Sequence, residues 1–352
     1  MSNFRLAPGG VDWPPGVVLS GGEVQRTGRR RFLLGASALA AAPLCARGQP
    51  RARRIGFLSG LPAGHERARW TEATLREALG ASGYEIGRNL VVEWRWGDGN
   101  PASVRALTED LAGRDVELIV AWSNHETVAA MRVSSTIPIV MLYGIAPVET
   151  GLVASVARPG ANVTGTAYLS PDTIAKQLQI LKEVKPSAVR VASLANPSSR
   201  PVSLTLAFDR AAQALGLRLE RFDVTHAEHV PTALEQVAAS RPDALFVVVS
   251  PALEVRMRDI GAFARSHKLV SIGTSPAYVL DAGGLLSYTP VPKHLVEKAV
   301  THIDRILKGE NPAEMPVDLP TKFALLIHAG TARAMGFTVP DSLLLRADRV
   351  IE

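Results

Sequence analysis

A chain of 352 residues is longer than one ordinary domain and comfortable for two, and 47% hydrophobic against 20% charged residues describes a folded protein, not a disordered or fibrous one. Most of the formal net charge of +6 sits in residues 1–48, where Arg5, Arg26, Arg29, Arg30, Arg31 and Arg47 face only Asp12 and Glu23. The rest is close to neutral and has no basic run interleaved with aromatics, so no nucleic-acid partner is expected. The lone Cys45 excludes an intramolecular disulfide and a cysteine metal cluster, and no cofactor or metal is expected.

The first segment reads as a leader. Arg29 and Arg30 precede Phe32-Leu33-Leu34 and an alanine-rich apolar stretch, which is shorter than the roughly 20 residues needed to span a bilayer. This pattern predicts a twin-arginine signal peptide over residues 1–48, with cleavage near Ala46 or Gly48 and a periplasmic mature protein. Lipid anchoring at Cys45 is the weaker alternative, because Leu44 stands where a small residue usually precedes a lipidated cysteine.

From Arg54 onward, apolar β-rich runs alternate with helical patterns, the signature of βαβ units and a mostly parallel sheet. RIGFLSG reads as a strand. ARWTEATLREALGASGY is a helix with Trp70, Leu75 and Leu79 at helical spacing, stopped at Gly83. NLVVEWRWGDG is a strand with Leu90, Val92, Trp94 and Trp96 on one face, which makes the two tryptophans core or lobe-surface residues. Helix ASVRALTEDLAGRDV, strand VELIVAW, helix NHETVAAMRVSS and strand IPIVMLYG follow. The rhythm restarts near Ser187 with VRVASLAN and runs through LTLAFDRAAQALG, LRLERFDV, ALEQVAASR, ALFVVVS, MRDIGAFARSHK and LVSIGTS, so a second lobe of related design is expected, with a cleft between the two. LLSYT, LVEKAVTHIDRILKG and KFALLIHAGTARAMG remain to complete both lobes, and GTAYLSP, with Tyr168, is a candidate crossing segment.

In open parallel sheets ligands bind beyond the carboxyl ends of the strands, near helix N-termini with unpaired N–H groups. Those places hold Ser59, Trp122, Ser123, Asn124, Tyr143 and Gly144 in the first half, and Asn196, Ser198, Ser250, Thr274, Ser275 and Tyr288 in the second. Hydroxyls, amides and aromatic rings suit a pocket that orients a small polar ligand and covers it with ring faces. Ser, Thr and Asn also favour such positions as helix caps, so their joint location carries the expectation.

No catalytic constellation competes with this reading. GxSxG, Walker, HExxH and strand-opening GxGxxG patterns are all absent. His226 and His229 have no third ligand nearby in the sequence and read as a solvated turn, and His125 has only the adjacent Glu126 to orient it. The expectation is a binding protein rather than an enzyme, with a periplasmic sensor as the alternative.

The runs IGFLS, STIPIVMLYG, APVETGLVASVARPGANVTG, GGLLSYTP, ILKGENPAEMPVDLPTKFALLI and PDSLLLRADRVIE, in this order, resemble the ABC transporter substrate-binding family that includes tryptophan-type binding proteins. The resemblance covers nearly all of residues 53–352. It implies a type I periplasmic-binding-protein fold: two Rossmann-like α/β lobes with parallel sheets, a multi-strand hinge of three crossovers, and ligand in the cleft. It further implies a first lobe of residues 53–165 plus about 283–316, a second of about 166–282 plus 317–352, a monomer, and an ABC permease as partner. The chain departs from the family pattern at Ala146, where many relatives carry Asp; at Ser123-Asn124-His125, where Gly-Thr-Pro is common; and at Thr289, where Gly is usual. An amino acid, especially an aromatic one, is the implied cargo. Its ammonium needs an acidic or carbonyl partner; Ala146 removes one possible acid and Glu149 is the remaining acid of that turn, so a sugar, nucleoside or aromatic acid stays open.

Overall fold

The computed structural model describes residues 52–197 and 202–352, so the expected leader, Cys45 and Ser198 lie outside the described residues. Two twisted sheets organise the chain. The first has the order β2-β1-β3-β4-β5, with β1 at Arg53–Ser59, β2 at Leu90–Trp96, β3 at Leu118–Ser123, β4 at Ile139–Ile145 and β5 at Val163–Leu169. All its pairings are parallel. The βαβ connections run through α1 (Glu66–Ala81), α2 (Pro101–Ala112) and α3 (Asn124–Val133).

The second sheet has the order β12-β11-β10-β9-β8-β6-β7. Its strands are β6 (Arg190–Ala195), β7 (Arg218–Asp223), β8 (Ala244–Val248), β9 (Val270–Gly273), β10 (Leu286–Pro290), β11 (Phe323–His328) and β12 (Arg349–Ile351). Only the β10–β11 pairing is antiparallel. Helices α4 (Pro171–Val184), α5 (Val202–Ala214), α6 (Val230–Ser240), α7 (Pro251–Glu254), α8 (Met257–Ser266) and α9 (Ala277–Leu280) belong to this half. Helix α10 (Pro292–Leu307) instead returns to pack on α1, β4 and β5 of the first sheet, and α11 (Ala329–Met335) and α12 (Asp341–Leu344) lie between β11 and β12.

The observed strands shift the expected lobe boundaries. Ala167 and Leu169 still pair with β4, so the first sheet runs past residue 165. Residues 286–290 join β9 and β11 of the second sheet, because LLSYTP is a strand with partners on both edges, and the chain leaves that sheet only at Pro292. Asp318 still bridges β5 through Thr166. The helix α4, built on the Ser170 cap and a buried stripe of Ile174, Gln177, Leu178 and Leu181, was not anticipated.

Three crossovers therefore join the halves: Leu169 into α4, Pro290 into α10, and the segment from Met315 into β11. His302 of α10 pins the last of these, its Nε2 lying 3.0 Å from Asp318. Trp94 and Trp96 stack on each other at 5.8 Å and tilt onto Phe57, so they serve packing, as their alternation predicts.

Candidate functional site

The carboxyl ends of both sheets meet at a cavity of about 60 Å³. The first lobe contributes Leu61, Arg67, Trp122, Ser123, Asn124, Tyr143, Ile145 and Tyr168, and the second Val249, Ser250, Pro251, Glu254 and Ser275. A smaller neighbour of about 20 Å³ shares Ser123, Ser250 and Pro251 and adds His125, Glu126 and Asn196.

Local chemistry explains how each wall is held. Ser123 opens α3 as part of a capping box, accepting from the His125 N–H while the Glu126 carboxylate accepts the Ser123 N–H at 3.0 Å. The other Glu126 oxygen accepts the Gly60 N–H at 2.8 Å, tying the loop after β1 to α3. Glu126 is thus spent on these two backbone donors and on the Ser123 hydroxyl. Asn124 is spent similarly: its amide donates to the Ile145 carbonyl and accepts from the Ile145 N–H, both at 2.7 Å, fixing the end of β4. Trp122, Tyr143 and Tyr168 pack edge to face in series at 5.3 and 5.6 Å and form the aromatic wall. The Tyr168 hydroxyl donates across the cleft to the Thr274 carbonyl, so this ring both lines the cavity and links the lobes.

Of the residues expected here, Trp122, Ser123, Asn124, Tyr143, Ser250 and Ser275 line the main cavity and Asn196 the smaller one. Ser59, Gly144, Thr274 and Tyr288 line neither. Ser59 folds back to accept the Leu61 N–H at 3.1 Å. Gly144 is enclosed within the sheet, where a Cβ would come within 2.8 Å of Met141 Sδ. The Thr274 hydroxyl is engaged by the Val249 N–H at 2.9 Å. Tyr288 points to the opposite face of β10 from Ser287 and Thr289 and stacks on Phe323 at 5.4 Å.

Two charged residues that sequence reasoning missed dominate the site. Arg67, in the first turn of α1, and Glu254, at the end of α7, are each only 7% exposed. The Arg67 guanidinium lies over the rings of Trp70 and Tyr143, at 5.3 and 5.6 Å. Its Nη1, the Tyr143 hydroxyl, the Ser250 hydroxyl and Glu254 Oε1 are all buried without completing a hydrogen bond. Burial pushes the Tyr143 hydroxyl up, and the neighbouring Arg67 and Thr71 oppose that shift. Burial pushes the Glu254 carboxyl up and Arg67 opposes that shift. Glu149, the acid considered beside Ala146, is exposed. Arg67 was readable in principle, since it shares a helical face with Thr71 and Leu75, an odd place for a charge.

The site's edge titrates. Burial, then Glu66 and Glu254, push the Asp281 carboxyl up to about 6, while Arg67 and Arg258 pull it down. An acid whose native pKa is raised favours the native state below its ordinary value, and that advantage is lost as pH rises through about 6. Asp281→Asn should therefore flatten the stability profile over this range and melt above wild type at pH 7.5. A series of melting temperatures against pH checks this; a variant that melts lower at pH 7.5 shows that Arg67 needs the carboxylate.

Away from the cleft, His226, Glu228 and His229 gather on one surface turn with ligand-type atoms within 4.8 Å. The Thr225 hydroxyl bonds to Nδ1 of both imidazoles.

Two α/β lobes joined by three crossovers, with a polar cavity between their strand ends, define a type I solute-binding protein. The chain belongs to the ABC transporter substrate binding protein family, which it matches over residues 64–351. It is 26% identical over 277 residues to a tyrosine-binding protein of Clostridioides difficile, an alignment covering 78% of this chain and 77% of that one. Its fold is similar to a conserved domain protein of Vibrio cholerae (TM-score 0.79, 24% identity, 85% of this chain and 100% of the other). It is also similar to an ABC domain from Streptococcus pneumonia solved with L-Trp (TM-score 0.78, 22% identity, the same coverages). The function that follows is that of a solute-binding protein of an ABC importer. Among the described residues no helix is long and apolar enough to cross a membrane.

Proposed function

We propose that this protein works in the periplasm, captures an amino acid or small aromatic compound between its lobes, and presents the closed form to an ABC permease without altering its cargo. The observation that carries the reading is a cavity walled from both lobes by Arg67, Tyr143, Ser250 and Glu254, side chains that each hold a buried polar atom without a hydrogen-bond partner. A buried polar group without a partner costs roughly 1–3 kcal/mol, so a solute that satisfies several at once stabilises the closed arrangement. The tyrosine-binding relative and the L-Trp complex support an amino acid as the cargo class.

A thermal-shift screen against amino acids, aromatic acids, sugars and nucleosides tests this. A ligand at a hundred times its Kd adds about 2.7 kcal/mol to native stability and should raise the melting temperature visibly. A flat response across every class, or turnover of any compound, defeats the reading.

A further inference from the structure

We infer that the turn after β7 binds a divalent transition-metal ion of the zinc class through His226, Glu228 and His229, at a site separate from the cleft and independent of solute capture. The chain holds this turn at both ends. β7 stops at Asp223, a short 3-10 turn covers Ala227–His229, and α6 begins at Val230. Val224 is buried and its N–H donates to the Ala195 carbonyl at 2.9 Å, tying the entry of the turn to β6. Val230 is buried as well and starts the stripe of Ala233, Leu234 and Val237 that seats α6. Between these anchors His226 is half-buried, and Glu228 and His229 are exposed.

Residue type points to the metal. Two imidazoles and a carboxylate are a zinc donor set, whereas calcium and magnesium take oxygen ligands. One ligand-type atom from each of the three residues lies within 4.8 Å of the others. With metal–ligand bonds of roughly 2.0–2.2 Å, donors around a tetrahedral zinc stand about 3.3 Å apart. Side-chain rotation on an exposed turn supplies that difference. The rings already meet edge to face, with centroids 5.2 Å apart and planes at 77°. The third donor, Glu228, lies between the two histidines in the chain, and pairing them by sequence spacing alone passes over it.

Thr225 orients the rings. Its hydroxyl lies 2.9 Å from Nδ1 of His226 and 3.2 Å from Nδ1 of His229. A hydroxyl oxygen has two lone pairs and accepts an N–H from each ring; in that tautomer both Nε2 lone pairs are left for a metal. A hydrogen bond at the second ring nitrogen is how metal-ligating histidines are commonly fixed in tautomer and direction. None of the three donors lines either cleft cavity, so the metal and the cargo do not compete for the same side chains. Three protein donors leave one tetrahedral position for water or a donor atom from outside.

Calorimetric titration of the untagged full chain with zinc chloride tests the site, with calcium and magnesium chloride as controls. Zinc should bind, and calcium and magnesium should give no heat. Glu228→Gln should weaken zinc by on the order of tenfold or more, and Thr225→Val, which removes only the orienting hydroxyl, by about 10–100-fold. The double variant His226→Ala/His229→Ala should lose the site. Cobalt(II), which reports its coordination by visible absorption, should show the bands of a tetrahedral site in wild type and not in the double variant. Without metal the variants should melt with wild type, because the three donors lie at the surface. No heat with zinc, an unchanged zinc affinity in the double variant, or calcium bound as tightly as zinc overturns the inference and leaves solute capture standing.

Discussion

Arg67→Met should cost about 2–3 kcal/mol of stability at pH 8, and adding Glu254→Gln should return most of it without restoring ligand binding. Removing one member of a buried pair in contact costs about 3–5 kcal/mol, because the other charge is left uncompensated; replacing both can be neutral. No ion pair joins Arg67 and Glu254 among the described residues, which places the expected loss below that range. The sign with pH follows from Glu254. Its carboxyl is raised by burial and held down only by Arg67, so without the guanidinium it keeps its proton to a higher pH. The penalty of Arg67→Met is therefore smaller toward acid pH and grows as pH rises. Denaturant midpoints of the two single variants and the double variant at pH 5 and pH 8 give the full cycle. Equal losses at both pH values, or additive losses in the double variant, would show that the two charges do not sense each other.

The strands and most helices were legible because each carries one clean period. β3, β4 and β8 are nearly continuous apolar runs of buried parallel strands, and α10 carries its stripe of Leu295, Val296, Ala299 and Ile303. The lobe boundaries were less so, because LLSYTP looks the same whether it completes one sheet or the other; the choice depends on the antiparallel β11, which lies more than thirty residues on. At the site, position was readable and side-chain commitment was not. Asn124 and Thr274 stand at strand ends as expected, yet their polar atoms fasten Ile145 and Val249. Tyr288 fails for a different reason: on β10 the parity that buries Ser287 and Thr289 turns the ring away. Glu254 escaped because a single charge in a short helical turn ordinarily marks the solvated face, and Arg67 because its place beside Thr71 and Leu75 on one face of α1 was not weighed against its charge.

Gly165→Ala should destabilise the protein by about 3 kcal/mol or more, well beyond what its backbone angle alone explains. Gly165 has φ +126, and a Cβ there would sit 2.2 Å from the Met141 carbonyl oxygen and 2.6 Å from the Met141 nitrogen. Neither neighbour is a flexible side chain; both belong to β4, whose pairing with β5 already shifts register at Met141 and Gly144. The strand cannot retreat on its other side, because the Gly165 carbonyl accepts the Asp318 N–H at 2.9 Å and the Ala167 N–H reaches the Asp318 carbonyl at 2.9 Å, joining two of the three crossovers. Gly216 supplies the control. Its φ of +67 is also positive, but a Cβ there meets nothing within 4 Å, so Gly216→Ala should cost only the left-handed backbone term of about 1–2 kcal/mol. If chemical denaturation finds the two variants equally destabilised, the close approach of β5 to β4 is softer than this geometry implies. A larger loss at Gly165→Ala, accompanied by weaker ligand binding in that variant alone, ties closure of the cleft to the packing beneath the crossovers, since Tyr168 lies only three residues further along the same strand.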